Sequence, residues 1–364
     1  MVRLSMLSLI CMAGLAAVAD VSMVPAEHGT VFRETGRFGG WPANNGIWIW
    51  DNEIVVGFTL GYLKIEGATG HPIDRDRPSE SMLARSLDGG VTWSIEKPSF
   101  ALEKTDGSDA TECPGGLDFT NPNSALRFKM NVFYYSPDRC KTWQGPFKIP
   151  SFDRPGMLAR TDYMVQGKHE LVAFMAAEKD DGKEGWPCAI KTTDGGKTWE
   201  LLGYIGTMPE SGGYSIMPST LEMKNGSWLS IIRRRTRIEG GSIWWIEGYL
   251  SPDKGKSWYL LKEPYVDNRG NPASMIRLQD GRIAMTYGFR GEPYGIRVRF
   301  SKDEGQTWGP EHIIQDKGGD WDIGYPRTVQ RPDGKCFTAY YFNDEPEGER
   351  YIAYSIWDPS AVKE

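Results

Sequence analysis

Ser86-Leu87-Asp88-Gly89-Gly90-Val91-Thr92-Trp93 is one of five copies of a single pattern, Ser/Thr-x-Asp-x-x-x-Thr/Ser-Trp, which recurs from Ser136, Thr192, Ser251 and Ser301. The aspartates Asp88, Asp138, Asp194, Asp253 and Asp303 stand 50, 56, 59 and 50 residues apart, the period of a four-stranded propeller blade. In such a box the Asp and Ser/Thr side chains bond the backbone of a tight hairpin and Gly takes the left-handed position. The closing Trp (Trp93, Trp143, Trp199, Trp258, Trp308) anchors the turn between sheets. One copy departs, with Cys140 where the others have Gly. A carboxylate present in every box reads as a turn cap rather than a catalyst.

Between the boxes, Gln166-Gly167, Asn225-Gly226, Asp280-Gly281 and Asp333-Gly334 each separate two apolar, strand-like runs, as two-residue hairpin turns do. Each unit therefore reads as strand, turn, strand, loop, strand, box, strand. Six units result, and the last, Asp322 to Asp358, lacks a box. The segment around Thr30 to Arg33 is expected to supply its outer strand and close the ring. The predicted fold is an all-β, six-bladed propeller of four-stranded antiparallel blades, one domain spanning 20–364.

Composition agrees with this fold. The chain has 364 residues, with 43 Gly, 14 Trp and 40% hydrophobic residues, which suits many turns between aromatic-rich strands and a large core. A formal charge of −6 argues against nucleic acid as a partner. Residues 1–19 read as an export signal: Arg3, an apolar run through Leu9, Ile10 and Leu15, then Ala17-Val18-Ala19 before Asp20. The run is shorter than the roughly 20 residues of a bilayer span, so a secreted or periplasmic protein with no membrane span after cleavage is expected. Cys113, Cys140, Cys188 and Cys336 are then either disulfide-bonded or buried thiols. Neither a Cys-x-x-Cys nor a His cluster marks a metal site, and no cofactor is expected.

Five boxes, a secretion signal and about six blades resemble the sialidase (neuraminidase) superfamily across essentially the whole mature chain. The resemblance implies exo-hydrolysis of terminal sialic acids by a Tyr nucleophile activated by a Glu, an Asp acid/base and three Arg that hold the sugar carboxylate. A neutral phenol can approach an anomeric centre beside a carboxylate, where an anion would be repelled. Gly324-Tyr325-Pro326-Arg327 before Asp333-Gly334 makes Tyr325 the nucleophile candidate. Arg233, after Asn225-Gly226, matches the second arginine. Arg235 lies on the same strand face and Arg234 on the other. Arg290, rather than Arg297, is expected to be the third. In the loop His71-Pro72-Ile73-Asp74-Arg75-Asp76-Arg77, Asp76 has the offset of the acid/base, with Arg75 beside it, although such alternating charges also neutralise one another on a surface.

Three family elements are missing. Gly39-Gly40-Trp41-Pro42-Ala43-Asn44-Asn45-Gly46 replaces the Arg-Ile-Pro strand, and Ala339-Tyr340-Tyr341 replaces the Glu that positions its arginine. Met217 stands where the activating Glu belongs, and a phenol of pKa near 10 is a poor nucleophile without a base. Candidate replacement carboxylates are Asp162 and Asp322, with Asp118 and Glu184 as weaker ones. Arg327 joins the substrate-binding candidates, as do Trp41, Asn45, Trp321 and Tyr294 as sugar contacts. The expected activity is an exo-glycoside hydrolase removing a terminal acidic sugar, sialic or uronic, from an oligosaccharide or glycoconjugate. The alternatives are a polysaccharide lyase with a Tyr or His base, for which His28, His71, His169 and His312 show no pairing in the sequence, and a non-catalytic glycan-binding propeller.

Overall fold

The computed structural model describes residues 22–67, 70–102, 107–182 and 185–362, so the predicted export signal and Glu184 lie outside it. Six antiparallel sheets follow one another along the chain as six blades. The third runs Met157–Val165, Leu171–Ala177, Trp186–Thr192, Glu200–Tyr204 from channel to rim, and the fourth Tyr214–Glu222, Trp228–Ile238, Gly241–Ser251, Tyr259–Val266. The middle strands are packed on both faces, which is why they are continuous apolar runs: every residue of Leu171–Ala177 and of Cys336–Phe342 is buried. Each of the six interfaces between neighbouring blades is filled by its own apolar cluster, the arrangement that makes a ring of sheets stable.

Ala26–Phe32 pairs antiparallel with Tyr351–Trp357 and is the outer strand of the last blade, as expected from the sequence. Blade size is less regular than expected. Among the described residues the second blade has three strands, Ala125–Lys129, Val132–Ser136 and Gln144–Lys148, and lacks an inner one. The fifth gains Ser22–Met23 parallel to His312–Gln315. In the first blade the inner position is divided between Arg37–Gly40 and Ile47–Trp50 by a short helix, Pro42–Asn45.

The boxes act as turn caps. In all five the Thr or Ser before Trp donates its hydroxyl to the Asp at 2.5–2.7 Å. The indole N–H of Trp93, Trp143 and Trp258 donates to the carbonyl three residues earlier. Gly90, Gly196, Gly255 and Gly305 hold φ between 82° and 99°, and Cys140 accepts φ 64° in the same place. The Gln166-Gly167 turn differs from its counterparts: Gly226, Gly281 and Gly334 have positive φ, whereas Gly167 sits in a five-residue loop closed by Gln166 N–H to the Glu170 carbonyl. All four described cysteines are free, buried thiols.

Candidate functional site

Two inner strands bulge where they face the channel. The pairing of Gly324–Gln330 with Cys336–Phe342 slips between Gly324 and Arg327, and that of Tyr214–Glu222 with Trp228–Ile238 slips between Ile216 and Ser219. At each slip the residue before a proline is left-handed, Tyr325 at φ 50° and Met217 at φ 59°. A bulky side chain there costs about 1–3 kcal/mol, and a bulge re-aims the side chain it carries. Buried Asn271 holds the first bulge: its Oδ1 accepts the Tyr325 N–H at 2.9 Å and its Nδ2 donates to the Ile323 carbonyl at 2.7 Å.

Arg233 Nη1 donates to the Tyr325 hydroxyl at 2.9 Å and lies 3.9 Å from Met217 Sδ. Among the described residues Arg233 is the only side chain bonded to that hydroxyl, so no carboxylate reaches it. Arg290 stands 5.6 Å from the centre of the Tyr325 ring and donates to the Tyr341 hydroxyl at 2.7 Å. The carbonyls of Gly270 and Ile323 hold it in place. Arg297 is turned away, bonded to the carbonyls of Gln315 and Pro293. Strand alternation holds in the fourth blade: Arg233 and Arg235 both sit 5.0 Å from the Tyr214 ring, while Arg234 pairs with Glu247 on the opposite face.

Sequence reasoning missed the group that stands opposite. The loop after Tyr62 folds back through Lys64 N–H to the Pro72 carbonyl and Asp74 N–H to the Tyr62 carbonyl. It places His71 Nδ1 2.5 Å from Asp322 Oδ1. Asp322 is fully buried and also accepts from the Tyr341 hydroxyl at 2.6 Å and Arg350 Nε at 3.2 Å; Asp320 in turn holds Arg350 at 2.6 Å. Trp41, Trp321, Tyr325 and Tyr341 surround the imidazole at 5.2–6.3 Å. Burial pushes the His71 pKa below its ordinary value, and Arg290 and Arg233 push the same way, against the Asp322 hydrogen bond. Burial alone would raise Asp322, but the His71 hydrogen bond and charge, then Arg290 and Tyr341, hold its carboxyl below the usual range. The result is a neutral imidazole whose Nδ1–H is committed to a carboxylate, which fixes the tautomer and leaves Nε2 with its lone pair. His71 lies five residues before Asp76 in a loop already singled out, but nothing local signals a partner 251 positions away.

The other candidates divide. Asp162 is buried between Arg327 Nη1 at 3.4 Å and the Thr220 N–H at 3.0 Å; burial raises its pKa despite Arg327 and Arg160. Arg327 also donates to the carbonyls of Thr161 and Ala43, so this pair braces the channel wall. Trp41, left-handed at φ 58°, Asn45 and Arg75 line a cavity of about 400 Å3 together with Tyr325 and Met217. Asn45 is tied down by Thr59 and Arg127. The structure does not bring Asp76 to this cavity: its side chain is 82% exposed and ion-paired with Lys64 at 2.8 Å. Arg235 is occupied by the Gly212 carbonyl. Tyr294 packs against the core between the fifth and sixth blades, and Asp118 caps its own turn through Thr120. No group of three potential metal ligands occurs among the described residues, and no helix among them is long and apolar enough to cross a membrane.

Residues 134–338 match the family described as a BNR repeat-like domain. Among solved structures, a protein of unknown function from Dyadobacter fermentans is similar at TM-score 0.68 and 22% identity, over 91% of this chain and 98% of that one. The sialidase of Trypanosoma rangeli in complex with sialic acid is similar at TM-score 0.56 and 13% identity, over 92% and 59%. The alpha-L-arabinanase of Penicillium chrysogenum gives 0.54 and 14%, over 94% and 99%. At these identities the likeness is one of fold. No curated protein matches the sequence.

Proposed function

The chain belongs to the family of BNR repeat-like domains, sialidase-like propellers, and on that premise we propose that it is a glycoside hydrolase that releases a terminal acidic sugar from a glycan. One observation carries this: Tyr325, held in a strained bulge, has Arg233 on its hydroxyl, Arg290 over its ring and the Asp322-bound His71 at its edge. Two cations facing one phenol suit a substrate carboxylate beside the reacting carbon. With Met217 in place of a Glu, the proton chemistry falls to His71. Its Nε2 takes the phenolic proton as the Tyr325 oxygen bonds to the anomeric carbon, and the departing oxygen on the opposite face, which keeps the electron pair of the broken C–O bond, takes its proton from water. Water then reverses the sequence.

The same neutral imidazole favours a second reading, elimination from a uronate. There His71 would take the proton from the carbon next to the carboxylate, a C=C bond would form as the C–O bond breaks, and Tyr325 would protonate the leaving oxygen. Incubation with a 4-methylumbelliferyl sialoside and with uronoside-capped oligosaccharides separates the two. A released monosaccharide, lost in Tyr325→Phe, supports hydrolysis, and an unsaturated product absorbing in the ultraviolet supports elimination. Binding without turnover would sink both and leave a glycan-binding propeller. We propose further that residues 1–19 direct export and that 20–364 form the mature domain. N-terminal sequencing of the secreted protein tests this, and a start other than Asp20 overturns it.

A further inference from the structure

The cavity beside Tyr325 has a second source of positive charge, separate from Arg233 and Arg290, neither of which lines it. Its wall carries Arg75, Arg127, Lys129 and Arg160, and no acidic residue among those described. Arg160 is the unusual member. It is 2% exposed; its Nη1 and Nη2 donate to the carbonyls of Met217 and Ala273 at 2.9 and 2.8 Å, and its Nε has no partner. The nearby carboxylate, Asp162, is engaged by Arg327 and the Thr220 N–H. Among the described residues Arg160 forms no ion pair, although a guanidinium stays protonated in proteins. A buried charge without a counter-charge is unfavourable, and a low-dielectric cleft lined by one sign of charge concentrates ligands of the other. Arg75, on the same wall, is exposed and without a side-chain partner among the described residues.

We infer that this cavity is a second anion subsite, which takes a carboxylate or sulfate borne by the sugar next to the one that is released. The volume of about 400 Å3 lies within the roughly 300–1,000 Å3 of small-ligand pockets. Guanidinium groups match both oxyanions in geometry and charge. The natural substrate is then a glycan with anionic groups on consecutive residues. This extends the hydrolase reading to a substrate class, but the subsite itself is a statement about binding.

The test is calorimetric titration of the full chain with a uronic-acid disaccharide, a sulfated disaccharide, neutral lactose and inorganic sulfate. Acidic disaccharides are expected to bind and lactose not. The affinity should fall about tenfold in Arg75→Ala and recover in part in Arg75→Lys, as for one lost charged contact. Arg160→Met should abolish it, and if that variant does not fold, the Arg75 pair decides. Equal binding of lactose and the acidic disaccharides, or an Arg75→Ala affinity equal to wild type, overturns the inference. Tight binding of inorganic sulfate with none of either disaccharide does so as well, since the cavity is then an ion site only. An inactive protein that still binds acidic disaccharides through Arg75 keeps the subsite and loses the hydrolase; a protein that turns over glycans without preference for acidic disaccharides does the reverse.

Discussion

Replacing Asp322 by Asn separates its two oxygens. Oδ1 accepts from His71 Nδ1 and the Tyr341 hydroxyl, while Oδ2 accepts from Arg350 Nε. An Asn side chain with its carbonyl in the first position preserves two of the three bonds and turns its NH2 toward Arg350, donor against donor. One charged hydrogen bond is lost, worth about 1.5–3 kcal/mol. The loss is bounded above by the roughly 3–5 kcal/mol of an orphaned buried charge, since Arg350 keeps Asp320 at 2.6 Å. The expected cost is therefore about 3 kcal/mol, and at about 1.4 °C per kcal/mol for a chain of this size the melting temperature falls by about 4 °C. Loss of the negative charge also lowers the His71 pKa further, because the partner that favours its protonated form is gone. Scanning calorimetry reads the first effect, and NMR titration of the His71 ring proton reads the second. Turnover should fall at least about tenfold as the imidazole loses basicity. A variant that melts within about 1 °C of wild type and whose His71 titrates unchanged would refute the assignment of this pair.

Tyr325→Phe removes only the hydroxyl that Arg233 contacts, so turnover should vanish while the melting temperature drops by a few degrees at most; a collapse of the fold would mean that the hydroxyl is structural. His71 and His28 have folded pKa values below the ordinary 6.5, chiefly through burial, so the unfolded chain takes up these protons first. Stability is at its full value above pH 6.5 and declines as pH falls toward the folded values, and urea midpoints at pH 7 and 5 should differ less in His71→Gln. At lower pH the boxes take over. The Thr92 and Ser257 hydroxyls, first among several hydrogen bonds, depress Asp88 and Asp253. Their contribution is present above the ordinary 3.8 and is lost as pH falls through the folded values, so circular dichroism should show steep acid unfolding that starts earlier in Asp253→Asn. Deleting residues 22–36 removes the outer strand of the last blade and the buried Val24 and Val31. A large loss of thermal stability is expected, and an unchanged melting curve would count against ring closure.

The fold was legible because its marker is local: the Ser/Thr–Asp–Thr/Ser hydrogen bonds that define a box lie within eight residues, and five copies set the period. Tyr325, Arg233 and Arg290 were reachable from flanking turns that fix their place on a strand. The Asp322–His71 pair was not, since it joins a first-blade loop to the start of the last blade and depends on how the ring closes. Asp76 shows the same limit of local reading. Its offset along the chain is suggestive, but the loop turns His71 inward and leaves Asp76 in solvent beside Lys64. The paired Met217-Pro218 and Tyr325-Pro326 are a signal that could have been used, because both mark bulges at the channel.

Ring closure also sets an order of events in folding. Ala26–Phe32 must meet Tyr351–Trp357 across the whole ring; the His28–Ser355 side-chain bond alone spans 327 positions. Contacts of such separation are slow to form, so blades one to five can assemble from nearer contacts while the edge of the sixth waits for these two strands to meet. His71 and Asp322 lie on the two sides of that seam. On the proposed mechanism, a chain with an open ring would hold its arginines and Tyr325 yet leave His71 without Asp322, which would make completion of the ring the step that assembles the site.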